Sequence, residues 1–250
     1  MERVAVIDFE TTGLSPAQGD RATEIAAVIL EGGRVVDRYQ SLMNAGVRVP
    51  AHIEALTGIS NAMLRQAPPA DRVMGEVADF VSDCPLVAHN AAFDARFWDA
   101  ELARITRKRH QEFACSLLLA RRLLPQAPSH KLGALIEFTR LPVAGRYHRA
   151  LADAEMAASL LLRLTDELRT RHQLPGISHA VLLLGDTNLD GRVDISDAVL
   201  LNKSISGSVV LNEQAKDNAE CYADGNLDGN DATTLLRFLV HTITSLPVTE

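Results

Sequence analysis

The chain has 250 residues, 47% hydrophobic and 23% charged. That mixture excludes a fibrous or disordered polymer and supplies apolar material for one full core and a smaller second one. The formal charge of −7 is uneven: residues 1–180 carry 21 Lys and Arg against 21 Asp and Glu, whereas residues 181–250 carry 4 against 11, so the acidity belongs to the tail.

No apolar run approaches the roughly eighteen residues a membrane helix needs, so no membrane role is expected. Val4–Ile7 follows Met1 almost at once and reads as a strand, without the cleavage site of a secretory signal. As written, the chain is expected in the cytoplasm. Cys84, Cys115 and Cys221 are widely spaced and form no CxxC pattern, which argues against a disulfide framework or a zinc site.

In chain order, Arg3–Asp8, Ala22–Leu30 and Val35–Met43 read as strands, the last two joined by the turn Glu31-Gly32-Gly33. Ile53–Leu56 and Arg72–Val81 carry helical spacing, Pro85–Ala88 a brief buried strand, and Ala91–Arg104 a helix. Helices are then expected over Ser116–Leu124, Leu132–Phe138 and Arg149 to about Arg171, an α/β architecture with a mixed sheet. Leu174-Pro175-Gly176 stops the last helix. A first domain is placed at 1–174, a linker at 175–180 and a second, small all-α domain at 181–250. The break in composition points to two halves of different origin, joined by engineering.

Asp8 and Glu10 stand two apart at a strand end, so the period of two turns both carboxylates to one side of the sheet. Such a pair calls for divalent oxygen-seeking cations, although a solvated turn reads the same way. Downstream, His89-Asn90-Ala91-Ala92-Phe93-Asp94 opens one helix, and His148-Arg149-Ala150-Leu151-Ala152-Asp153 opens the long one. Taken singly, Asp94 and Asp153 are helix-start charges and His148 a surface imidazole.

Together, Asp8-Phe9-Glu10-Thr11-Thr12-Gly13-Leu14, the His89–Asp94 segment, and His148 with Asp153 five residues on resemble the DEDDh exonucleases. That family includes polymerase proofreading subunits, RNase T and oligoribonuclease. Ile53–Ile59 is similar to its intervening segment, and the likeness spans about 1–172. It implies a ribonuclease H-like exonuclease fold and two Mg²⁺ or Mn²⁺ ions held by Asp8, Glu10, Asp94 and Asp153. These four acids and His148 would be catalytic, with His148 taking the proton from the attacking water. Thr11, Thr12, Gly13 and Leu14 would seat the terminal nucleotide, and Asn90 and Phe93 would line the approach. Arg146 and Arg149 are expected to touch the phosphate backbone. The reaction implied is release of nucleoside 5′-monophosphates from a 3′ end, on single-stranded DNA first and RNA as the alternative.

In the tail, Asp186, Asn188, Asp190, the Arg192 carbonyl, Asp194 and Asp197 occupy positions 1, 3, 5, 7, 9 and 12 of a twelve-residue loop with Gly191 at 6, the oxygen spacing calcium takes. The string recurs at Asp224-Gly225-Asn226-Leu227-Asp228-Gly229. Aspartate at position 12 and a second loop resemble a dockerin, over about 181–245, which implies one or two Ca²⁺ ions and a cohesin partner met by Ile195 and Ser196. Matched by its string, the second loop lacks four residues, with Asp224, Asn226, Asp228, Asn230 and Asp231 as its ligands. Dockerins work outside cells. The competing reading is a catalytically silent scaffold whose activity is cohesin binding. The motifs do not fix an oligomeric state.

Overall fold

Five strands form one mixed sheet in the computed structural model, which describes residues 2–143, 145, 147–172, 179–190, 192–243 and 246–248. β1 (Val4–Thr11) pairs antiparallel with β2 (Ala22–Glu31), which pairs antiparallel with β3 (Arg34–Leu42). α1 (Ala51–Thr57), α2 (Asn61–Gln66) and α3 (Ala70–Val81) follow, and then β4 (Leu86–Ala88) lies parallel to β1. α4 (Ala91–Arg104) leads to β5 (Phe113–Cys115), parallel to β4, which closes the order β3-β2-β1-β4-β5. α5 (Ser116–Leu123), α6 (Leu132–Phe138) and α7 (Ala150–His172) complete this part.

The expected strands and helices are present, with shifted ends. β1 runs three residues past Asp8 because its pairing with β2 continues to Thr11↔Ala22, with an irregularity after Glu10. Both carboxylates therefore stand in ordered strand. α2 was not expected, although Ser60 marks its start: the side chain accepts the Met63 amide. β5, with three residues, is too short to show a period.

β2 is buried from Ala22 to Leu30, on both faces of the sheet. Its core includes Ile7, Phe9, Ile25, Ile29, Val73, Met74, Val77, Phe97 and Trp98. Burying side chains of this size contributes on the order of 1.5–3 kcal/mol each, offset by the ordering of the chain. The central position of β1 makes its C-terminal end a fixed platform.

The chain divides into two compact units, 1–164 and 165–250. Of the expected linker, 175–178 lie outside the described residues, as do Leu174, Arg146 and Gly191. The second unit holds α8 (Ile195–Ile205), α9 (Glu213–Ala219) and α10 (Gly229–Leu239) around Ala198, Leu201, Leu211, Ala215, Ala219, Cys221, Ala232, Leu235 and Leu246. No helix among the described residues is long and apolar enough to cross a membrane.

Candidate active site and metal-binding loops

Asp8 and Glu10 project from the end of β1, where β4 has already stopped. The Phe9 amide lies on the side where the Ala5 amide meets Pro85, beyond the reach of that short strand. Asp94, in the first turn of α4, takes it instead, with Oδ1 at 3.1 Å. This bond ties the second motif to the first. Asn90, which precedes α4, has φ 74°, a left-handed conformation asparagine tolerates.

α7 brings the third motif. Asp153 lies in its first turn and its Oδ2 accepts the His148 amide at 2.9 Å. His148 has φ 61°, unusual for a non-glycine residue and costing about 1–2 kcal/mol, and this bond helps to hold it there. A ring nitrogen of the exposed His148 and carboxylate oxygens of Glu10 and Asp153 lie within 4.8 Å of one another. Among the described residues no other three His, Cys, Asp or Glu side chains meet so closely.

The acids repel one another. Burial, then Asp94, Asp153, Glu10 and Glu24, holds the Asp8 carboxyl well above its ordinary range. Burial, then Asp153, Glu24 and Asp94, pushes Glu10 up to about 8, and burial pushes Asp94 to about 8. Burial also raises Asp153. Glu10 and Asp153 offer carboxylate oxygens close enough to share a hard divalent cation with His148, while Asp8 and Asp94 stand outside that group and add negative charge around it, a donor set that fits Mg²⁺ or Mn²⁺.

The segment after Glu10 is a braced turn. Thr11 and Thr12 are buried, with Thr11 Oγ1 donating to the Gly13 carbonyl at 2.6 Å. Asp20 accepts the Ser15 amide at 2.9 Å and the Thr12 hydroxyl at 3.4 Å. A Cβ at Gly13 would stand 2.4 Å from that carboxylate, so a larger residue there would push Asp20 off the bonds that brace the turn. Leu14 projects beyond it, 78% exposed. Phe93 packs half-buried against Phe97, ring centroids 5.0 Å apart.

His89 does not face this cluster. Its Nε2 donates to the His130 carbonyl at 3.0 Å, which leaves Nδ1 to accept from Ser116 at 3.1 Å. Burial lowers its pKa from 6.5 to about 4. An unfolded chain therefore takes up this proton first, and the residue's contribution costs stability progressively as pH falls from 6.5 to about 4. A titration of the imidazole signals by NMR should give His89 a midpoint near 4; a midpoint near 6.5 would contradict its buried, neutral state.

Two residues went unnoticed in the sequence. Glu24, fully buried, stands directly across from Glu10 in the β1–β2 register and binds Arg149 through both oxygens. Its signal was an acid inside the apolar run Ala22–Leu30. Arg149, expected on a phosphate, is thus engaged within the protein.

In the second unit, Asp197 is fully buried; its Oδ1 accepts the Thr187 and Asn188 amides and its Oδ2 the Asp194 amide. Asp186 and Asn188 both accept the Asp190 amide, and Asp190 accepts that of Arg192. The loop is thus wrapped around its own oxygens, the chemistry Ca²⁺ requires. The loop also rests on the buried Asn218, which donates to the Asp186 carbonyl at 3.1 Å.

The structure corrects the register of the second loop. Asp194 caps α8 in a reciprocal box with Asp197, and Asp228 caps α10 in the same way with Asp231. The Tyr222 amide donates to Asp231 as the Asn188 amide does to Asp197, nine residues apart in both. In this frame Gly225, at φ 82°, matches Gly191, Asp224 matches Asp190, and Asn226 matches Arg192. No residues are missing. Glu220, the second overlooked residue, takes position 1 and accepts the Gly225 amide at 2.8 Å. Asn230 becomes the counterpart of Ser196, away from the ligand positions.

Known proteins agree with both halves. The family profile described as Exonuclease matches residues 5–161, and that of the dockerin type I domain matches 184–240. A protein called 3′-5′ exonuclease DinG from Bacillus subtilis is 38% identical over 178 residues, 70% of this chain and 18% of its own length. A PolC-type DNA polymerase III from Bacillus cereus is 35% identical over 168 residues, 67% of this chain and 12% of its own. The chain therefore spans less than a fifth of these curated relatives.

Among solved structures, Exonuclease X in complex with 5′ overhanging duplex DNA matches with TM-score 0.55 and 28% identity, over 65% of this chain and 91% of that one. The nuclease domain of 3′hExo, a DEDDh family member bound to rAMP, matches with TM-score 0.57 and 18% identity, over 66% and 92%, a likeness of fold. The first unit has the ribonuclease H-like exonuclease fold, as the sequence implied. The chain belongs to the exonuclease family and carries a dockerin type I domain behind its nuclease part.

Proposed function

We propose that this chain is a metal-dependent exonuclease that removes nucleoside 5′-monophosphates from the 3′ ends of single-stranded DNA, and that its tail docks it to a cohesin. The observation that carries the enzymatic reading is the convergence of Glu10, His148 and Asp153, beside Asp8 and Asp94, at the open end of β1. The printed name of the Bacillus subtilis relative supports the polarity. A purely structural platform would leave this repulsive cluster unexplained.

Asp8, Glu10, Asp94 and Asp153 would hold Mg²⁺ or Mn²⁺, which when bound supplies positive charge against the phosphate. Exposed His148 is placed to take the proton from a water entering beside Glu10. The braced Thr11–Gly13 turn presents Leu14 as an apolar surface for the terminal base, with Asn90 and Phe93 at the start of α4. Replacing His148 with alanine should lower turnover by roughly 10²–10⁴-fold, the usual contribution of a positioned base. Chromatography of the products on single-stranded oligomers checks this, and unchanged turnover would exclude that role.

Docking is supported by α8. Ile195 is 62% and Val199 48% exposed, and with Ala198 and Leu236 they line a shallow groove of about 390 Å³. Ser196 stands beside Ile195 with its hydroxyl donating to Asp194. At the corresponding places on α10 are Gly229 and Asn230, which offer no apolar side chain. The α8 side, through Ile195 and Ser196, is therefore the face for a cohesin.

A further inference from the structure

Glu24 is the acid of this region with no oxygen to spare. Its Oε1 accepts the Arg149 guanidinium at 2.7 Å and the Gln40 amide group at 2.7 Å. Its Oε2 accepts the second Arg149 nitrogen at 3.1 Å and the Ala150 backbone amide at 3.0 Å. A carboxylate offers about four acceptor sites, and here all are filled. Although it faces Glu10 across the sheet, Glu24 is not available as a further metal ligand.

What these bonds join is informative. Glu24 is buried in β2 and Gln40 reaches it from the neighbouring edge strand β3, while Arg149 and Ala150 are the entry to α7. His148 immediately precedes them, and Asp153 closes the same turn by donating its amide to the Arg149 carbonyl. We propose that Glu24 is a positioning residue for the hydrolysis: gripping Arg149 and Ala150, it sets the distance between the α7 entry and β1 at which His148 and Asp153 meet Glu10.

Burial alone would raise the Glu24 carboxyl, yet the bonds from Arg149, Ala150 and Gln40 hold it below its ordinary value, so the grip persists through the neutral range. Arg149 also lies close enough to Glu10 to lower its pKa. Held by Glu24, the guanidinium is kept from pairing with Glu10 in place of a cation. Displacements of about 1 Å at such a centre can cost on the order of a hundredfold in rate.

The inference rests on the exonuclease reading, so wild-type activity is established first; an inactive wild type would count against that reading, not against the grip. In Glu24→Gln an amide NH₂ replaces one acceptor oxygen and meets donors. Turnover on a single-stranded oligomer should fall by roughly ten- to a hundredfold, with KM within about threefold of wild type. Raising Mn²⁺ to saturation should not restore it, because no ligand has been removed. Arg149→Lys keeps the charge but loses the two-pronged contact, and should give a smaller loss of the same kind, which carries the test if the first variant misfolds. Turnover within twofold of wild type in both variants would overturn the proposal. So would full recovery at high Mn²⁺, which would make Glu24 a ligand.

Discussion

Asp8→Asn is expected to lower exonucleolytic turnover by about three orders of magnitude or more and, with metal removed, to raise the melting temperature of the nuclease unit. The first effect follows from the loss of the central charged donor: cation stabilisation of a phosphoryl transition state is worth several kcal/mol, and about 1.4 kcal/mol is tenfold in rate. The second has the opposite sign because Asp8 sits among Asp94, Asp153, Glu10 and Glu24. Carboxyls held up to about 8, as Glu10 and Asp94 are, keep protons that the unfolded chain has already released near pH 4. The metal-free fold therefore loses stability as pH rises from about 4 to about 8, and bound divalent ions should reverse the trend. Activity assays beside thermal melts with and without EDTA check both signs. A variant that is inactive and also less stable without metal would show that Asp8 is a structural residue.

Removing calcium should unfold or loosen the second unit alone. Its core is small, and the first loop places Asp186, Asn188, Asp190, Asp194 and Asp197 around one segment whose amides they already accept. A cation present at about a thousandfold over its Kd contributes roughly 4 kcal/mol, a large share of what so small a core can supply. Differential scanning calorimetry in EGTA should show one transition moving down or vanishing, while that of 1–164 stays. A single shared transition that moves with chelator would contradict two independently stable units. Asp197 is the most sensitive position, since its loss would leave the Thr187, Asn188 and Asp194 amides without their acceptor.

Much of this was legible because strand and helix periods coincide with chemistry. Asp8 and Glu10 flank the buried Phe9, so alternation alone set them on one side of β1. The start of α4 at Ala91 was read correctly from the short strand before it. Glu24 was not legible as a partner because only the register Glu10↔Glu24 brings it near the site. The frame of the second loop is hidden in the sequence for a different reason: the repeated Asp-x-Asn-Leu-Asp-Gly string is a stronger local match than the Asp-x-x-Asp box that begins each helix. The helix start, not the string, sets the loop frame, and position 1 falls to Glu220. The engagement of Arg149 by a buried acid likewise depends on tertiary packing.

The most direct test is digestion of matched 3′-labelled and 5′-labelled single-stranded DNA oligomers with Mg²⁺ or Mn²⁺, with RNA oligomers run beside them. A 3′-directed exonuclease should release the 3′ label at once as a mononucleotide and give a descending ladder from the 5′-labelled strand, faster on DNA. Release of the 5′ label first, or no metal-dependent cleavage of either polymer, would contradict this reading.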